Sequence, residues 1–265
     1  VVGTALRDRY ARQATAERGA WERLVAGIRE TGLPVPVLSV CGHGTAEVRF
    51  TKLLRHYLDP LASHGLGTRC LRAIFGDDVG HVDARVEAEV ELGIVVHGDV
   101  QRDCYLDLLV LTPNEAILVE QKLFAAEAVD LASGERMTQL ARYSRAFDLS
   151  FPAYGGRCRK YFLTPTGKSP SDDTSWQAVS HADWVNGLAA VLDDPELSPT
   201  ARFNLLSLIW ELLVGPLAMD ERLPALGAIG RAILAHPSRS PALRRRALSI
   251  FPSLDLLLRI ARELP

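Results

Sequence analysis

Asp107, Glu120 and Lys122 are the side chains whose types and spacing can do chemistry. They lie in the stretch from Cys104 to Lys122. Val, Ile and Leu dominate 106–111 and 116–119 there, as buried strands require. Thr112-Pro113-Asn114-Glu115 between them is a turn signal, with Pro in the second turn position. If Thr112 faces Glu115, counting outward along the two strands sets Asp107 directly opposite Glu120. Alternation then puts Glu120 and Lys122 on one face. Two facing carboxylates repel unless a proton or a cation lies between them. A divalent metal flanked by a lysine is the sharp reading. A satisfied buried ion cluster is the bland one, although such a cluster costs desolvation and gives little net stability.

Other elements must position this hairpin. The pattern predicts a helix over 4–30, ended by Thr31-Gly32-Leu33-Pro34, and a short extended link to Val40. A second helix is expected from Gly44-Thr45, with Thr45 as N-cap, to Asp59-Pro60; Glu47 falls in its first turn, favourable to the helix dipole. A third covers about 68–75. Residues 84–96 alternate like a strand, with Val86, Ala88 and Val90 on one side and Glu87, Glu89 and Glu91 on the other. That pattern reads as an edge or half-exposed strand, with His97 to Gln101 as the turn that follows. After Lys122 come a polar connection and a helix over about 133–147. Gln139 and Tyr143, four apart, project from one face of it. Strands at 159–163 and 176–180 and a helix at 181–192 complete an α/β sandwich with a mixed sheet. From Ser198 onward the chain reads as helices (202–214, 223–234, 241–248, 254–264) punctuated by Pro216, Pro237 and Pro252.

The chain has 265 residues, 48% hydrophobic and 23% charged, with a formal net charge of -2. Nothing in the global charge demands nucleic acid. Between Leu131 and Pro170, however, seven Lys/Arg face two Asp/Glu, a local basic excess that can meet phosphate. Arg136, Arg142 and Arg145 are expected on the helix in that segment. Cys41, Cys70, Cys104 and Cys158 form no C-x-x-C pair, which disfavours a zinc site, a redox motif or a disulfide framework. The first residues carry no apolar signal segment, and the stretch 205–218 is too short to span a bilayer; a cytoplasmic protein with no membrane partner is expected. His43, His56, His64 and His181 read as structural.

Asp107 followed by Glu120-Gln121-Lys122 resembles the D…E-x-K signature of the PD-(D/E)XK nuclease superfamily. Glu47-Val48-Arg49-Phe50-Thr51, then Leu54, Leu58-Asp59-Pro60 and His64-Gly65-Leu66-Gly67, is similar to the E-x-x-x-S…LL-D-P…HG-x-G opening of a bacterial subgroup, with Thr51 where Ser is usual. Gln139-Leu140-Ala141-Arg142-Tyr143 is similar to that subgroup's QL-x-RY helix. Tyr161 to Pro165 and Trp176 to Trp184 are similar to its later strands and helix. Leu106 stands where the superfamily name has Pro. The likeness covers roughly residues 44–190.

The resemblance implies a restriction-endonuclease-like core over 41–195, preceded by a helix and link (1–40) and followed by an all-helical extension (196–265). It implies metal-dependent hydrolysis of nucleic-acid phosphodiesters, DNA first, in defence, restriction or repair. Asp107 and Glu120 are then ligands of Mg²⁺ or Mn²⁺, hard ions that suit carboxylates. Glu47 faces the metal through water. Lys122 positions or deprotonates the attacking water; a lysine beside a bound cation has its pKa depressed, which suits a base. Gln139 orients phosphate or water. Tyr143 supports Gln139 or touches the nucleic-acid backbone, and Arg136, Arg142 and Arg145 are candidates for phosphate contact. Glu89 is a weaker contributor. A catalytically silent binding or assembly module on the same fold is the competing class, disfavoured by the intact Asp107, Glu120 and Lys122. The C-terminal helices are the expected surface for a homodimer or a partner protein.

Overall fold

The computed structural model describes residues 38, 43, 46–97, 100–123, 128–132, 135–171 and 175–216. The helix expected over 4–30, the link after it and the helices expected after residue 216 lie outside these residues.

A mixed five-stranded sheet flanked by helices forms the centre, with strand order β1-β2-β3-β6-β7. Strands β1 (Arg85–His97), β2 (Val100–Leu111) and β3 (Ala116–Gln121) are antiparallel neighbours; β6 (Cys158–Thr164) and β7 (Gln177–Ser180) continue parallel to β3. β3 is buried at all six positions, which is why its run of Ala, Ile, Leu and Val tolerates no outward polar face. Helices α1 (Glu47–Leu58), α2 (Arg69–Phe75), α4 (His181–Val191) and α5 (Pro199–Val214) cover one face of the sheet. α3 (Gln139–Ser150) covers the other face.

Local chemistry sets the ends of these helices. Ser180 and Asp183 form a reciprocal capping box at the start of α4, and the Ser198 side chain accepts from the Ala201 N–H at the start of α5. α1 begins at Glu47 with Ala46 as its N-cap, so no side chain caps it and the expected Thr45 cap is displaced by one residue. At the other end of α1, His64 holds the turn. Its Nε2 lies 2.9 Å from the Asp59 carbonyl and its Nδ1 accepts the Leu66 N–H at 2.9 Å, the pattern of a neutral imidazole donating at Nε2. α5 places Leu205, Leu206, Leu208, Ile209 and Leu212 in the same core as α1 and α2, so the region expected from residue 196 onward begins inside that core.

Two predicted segments differ. Between Lys122 and α3 the chain makes a small hairpin, β4 (Val129–Ala132) and β5 (Glu135–Thr138), and α3 starts at Gln139 rather than near 133. Thr138 fixes that start, its hydroxyl accepting the Ala141 N–H at 3.2 Å. Arg136 therefore belongs to β5, not to the helix. The second difference concerns β1. Val86 and Ala88 pack on the first core, as expected, but Val90 and Leu92 belong to the second. On β2, Val110 and Leu108 line the first core, and Leu106 and Cys104 the second. The changeover falls at one row of the ribbon, between the pairs Ala88↔Leu108 and Val90↔Leu106. Glu89 occupies that row with φ +56°, unlike any other non-glycine among the described residues. A left-handed residue breaks the strict alternation of a strand, and the ribbon turns from one core to the other there.

Candidate functional site

The expected hairpin register is the observed one. Thr112 N–H donates to the Glu115 carbonyl at 2.9 Å, and regular pairs run from Leu111↔Ala116 to Leu108↔Val119. The next row outward is Asp107 and Glu120, and there the ladder stops. Continued regularly, it would bring the Gln121 N–H to the Leu106 carbonyl. Instead the Gln121 N–H donates to Oδ2 of Asp107 at 2.7 Å. β3 follows β6 from this point, with the Lys122 N–H donating to the Leu163 carbonyl at 2.9 Å. β2 and β3 thus part as a fork, and both carboxylates stand in its crotch.

Glu120 is 1% exposed. Its Oε1 meets the Lys122 ammonium at 2.7 Å and accepts from Nε2 of Gln139 at 3.0 Å. Its Oε2 is buried with no hydrogen-bond partner among the described residues. Burial, and then the nearby Asp107 charge, push its carboxyl well above the usual range. Burial also lifts Asp107, to about 6; the Gln121 N–H and Lys122 pull it back, while Glu89 and Glu47 push it further up. For Lys122, burial opposes the charge, but Glu120 above all, with Asp107 and Glu47, outweighs it and holds the ammonium above its ordinary range. In this arrangement Lys122 is itself the cation between the acids.

α1 and α3 deliver the remaining residues. Glu47 opens α1, and its Oε1 accepts the Leu123 N–H at 2.7 Å, tying the helix start to the end of β3. The Thr51 hydroxyl is spent on the Glu47 carbonyl of the same helix at 3.0 Å. Gln139, held at the first position of α3 by the Thr138 cap, also donates to the Tyr143 hydroxyl at 2.7 Å. Tyr143 is 6% exposed, so it braces Gln139 from within. The structure therefore brings Glu47, Asp107, Glu120, Lys122, Gln139 and Tyr143 together. It does not bring the arginines. Arg142 is 7% exposed and lies against Cys104, because α3 lies on the second core and buries a wide face; it is turned inward, not toward a phosphate. Arg145 is exposed on α3. Arg136 is on β5, and its side chain lies outside what is described.

Glu89 is the residue that sequence reasoning undervalued. It sits across from Asp107 in the β1–β2 ribbon, so Glu89, Asp107 and Glu120 form one row across three strands. Its Oε1 is buried without a hydrogen-bond partner among the described residues. Burial raises its carboxyl pKa, and Lys52 and Lys122 act against that rise. A signal was present: Gly98-Asp99 suits a two-residue hairpin turn. Such a turn pairs His97 with Val100, as observed, and one bulge at Glu91/Gly93 then brings Glu89 opposite Asp107. On the other face of β3, Gln121 and His181 are both buried, with His181 Nε2 3.4 Å from Gln121 Oε1; burial pushes the imidazole pKa down to about 3, so this histidine is neutral.

The donor set suits a hard divalent ion. Mg²⁺ typically takes one or two carboxylates and keeps several waters, and the orphaned Oε2 of Glu120 is a buried oxygen in need of such a partner. Among the described residues no three His, Cys, Asp or Glu side chains are placed to enclose a metal. No described helix is long and apolar enough to cross a membrane. No family model, curated protein or solved structure matches the chain.

Proposed function

We propose that this chain is a metal-dependent nuclease of the PD-(D/E)XK kind, with a restriction-endonuclease-like fold, hydrolysing phosphodiester bonds of nucleic acid, DNA first. The observation that carries the reading is the fork in the sheet: a buried glutamate with an orphaned oxygen faces a half-buried aspartate, beside a lysine and a glutamine. A structural ion cluster has no use for an unsatisfied buried oxygen.

Asp107 and Glu120 would hold Mg²⁺ or Mn²⁺, with Glu47 reaching the ion's water. When bound, such an ion lowers the pKa of a coordinated water and neutralises charge on phosphate oxygens. The protein's own groups do the rest. The Lys122 ammonium stabilises the charge that builds on the phosphorus oxygens and orients the attacking water. Gln139, whose two amide N–H groups go to Glu120 and Tyr143, fixes the Glu120 carboxylate. The water oxygen bonds to phosphorus, the phosphorus–oxygen ester bond breaks, and the departing oxygen takes up a proton. The products are a phosphate monoester and a hydroxyl. Arg145 is the arginine left for backbone contact on α3.

The test is a substrate panel of supercoiled plasmid, single-stranded DNA and RNA, with Mg²⁺ or Mn²⁺ and with EDTA, comparing the wild type with Asp107→Ala and Lys122→Ala. Cleavage that needs the ion and is lost in both variants is expected. Equal cleavage in all three proteins would show a contaminant and sink the assignment. Nucleic-acid binding without cleavage by the wild type would instead favour a silent binding module.

A further inference from the structure

We propose that Glu89 is the second seat of the Lys122 ammonium, the carboxylate to which the lysine moves when a divalent cation takes Glu120. The inference rests on Asp107 and Glu120 being the metal ligands. It begins from a conflict at one carboxylate. Oε1 of Glu120 already serves the Lys122 ammonium at 2.7 Å and the Gln139 amide at 3.0 Å. An ammonium on that oxygen and a divalent ion on the free Oε2 repel at short range in a buried site. The repulsion favours Lys122 leaving Glu120 for another counter-charge.

Three other carboxylates surround it. Asp107 is the second ligand of the same ion and gives no relief. Glu47 has Oε1 committed to the Leu123 N–H at 2.7 Å. Glu89 has a buried oxygen with no hydrogen-bond partner among the described residues. It lies in the row of Asp107 and Glu120, two strands from Lys122. Strands are about 4.8 Å apart and rise about 3.3 Å per residue, and Lys122 stands two residues past that row, so the backbone gap is roughly 12 Å, a span that a lysine and a glutamate reaching toward each other can close. Lys122 and Lys52 already act on the Glu89 carboxylate. The backbone at Glu89 is left-handed at φ +56°, a conformation a glutamate rarely adopts. Glu89 is thus a positioning residue: it acts through Lys122, drawing the ammonium off Glu120 and fixing it beside the place of attack.

The experiment is a double-mutant cycle on Mn²⁺ binding, measured on the full chain without nucleic acid by loss of the free-ion EPR signal. The proteins are wild type, Glu89→Gln, Lys122→Met and the double variant. Lys122→Met should tighten Mn²⁺ binding, since the competing ammonium is gone. Glu89→Gln should weaken binding roughly tenfold when Lys122 is present, the scale of a lost charge-assisted hydrogen bond. It should change binding by less than about threefold in the Lys122→Met background. Equal weakening in both backgrounds would make Glu89 a direct ligand and overturn the proposal, as would no effect in either. Failure of the wild type to bind Mn²⁺ at all would take down the metal reading beneath it, a distinct result. Should Glu89→Gln fold poorly, Glu89→Asn, a residue that accepts left-handed backbone readily, repeats the cycle.

Discussion

A carboxylate kept for chemistry should cost the fold stability, and Asp107 lets that cost be measured. Burial lifts its carboxyl from the ordinary 3.8 to about 6. At about 1.4 kcal/mol per tenfold change in proton affinity, the ionised group destabilises the metal-free protein by about 3 kcal/mol. Asp107→Asn removes the charge and keeps an oxygen for the Gln121 N–H. It also relieves Glu120, whose proton is held partly by the Asp107 charge. The Gln121 N–H bond to the carboxylate is already included in that shift, so in EDTA at pH 8 the variant should be more stable than the wild type by about 3 kcal/mol. The sign follows from linkage. Below about pH 4 the wild-type carboxyl is protonated both folded and unfolded, and the two proteins should match. As pH rises, the unfolded chain gives up its proton first, and wild-type stability falls until the folded carboxyl has also ionised, above about pH 6. Urea unfolding followed by tryptophan fluorescence between pH 4 and 8 tests this. Mg²⁺ at about a thousand times its dissociation constant should then add about 4.1 kcal/mol to the wild type and close to nothing to the variant, reversing their order. An Asn variant less stable than the wild type at pH 8 in EDTA, or a difference that stays flat across the range, would refute the reasoning.

Gly187 on α4 faces α2 so closely that an added Cβ would lie 2.3 Å from the Ala73 carbonyl oxygen. Gly187→Ala should thus destabilise the protein by about 2 kcal/mol in thermal melts, against the helix propensity gain of Ala. Thr138→Ala removes the N-cap of α3 and should cost about 1 kcal/mol. Because Gln139 is the next residue, the substitution should also lower metal-dependent cleavage more than its small stability loss explains. Arg159 grips Glu115 with two bonds, at 2.7 and 2.6 Å, and also donates to the Phe75 carbonyl at 2.8 Å. Arg159→Lys keeps the charge but not the fork, and should lose about 1–2 kcal/mol by urea titration.

How much of this was legible in the sequence varied with how local the determining physics was. The register of the β2–β3 hairpin follows from one four-residue turn, so Asp107 and Glu120 could be set opposite each other by counting. Gln139 and Tyr143 were likewise a matter of helical spacing. The small hairpin of β4 and β5 was not legible, because two four-residue strands carry too few positions to show a period and the cap that starts α3 is a single threonine. Arg142 misled for a different reason. A charged residue on an amphipathic helix is expected outside, but α3 is the one α-helix on its side of the sheet among the described residues and buries Leu140, Arg142, Tyr143, Ala146 and Phe147 together. Glu89 was hidden by a bulge. Its partner depends on both a turn and a one-residue slip, and either alone misplaces it.

The same irregularity explains why the acids can stand where they do. In a regular two-layer sheet, residues of one parity face one core along the whole strand, and an acid among them is buried in apolar packing. Here the β1–β2 ribbon leaves the core under α1 and α2 and joins the core under α3 within a single row. Glu89 and Asp107 occupy that row, at the seam between the cores. β3 parts from β2 at the same level while staying paired with β6, which brings Glu120 to the seam from the other side. Three carboxylates are thereby held on rigid strands at a place that neither core fills, with Lys122 as the counter-charge between them. The turn of the ribbon is thus what makes an acidic row compatible with a buried sheet. Its left-handed pivot is one of the acids, so the strain that opens the seam and a charge that lines it reside in the same residue.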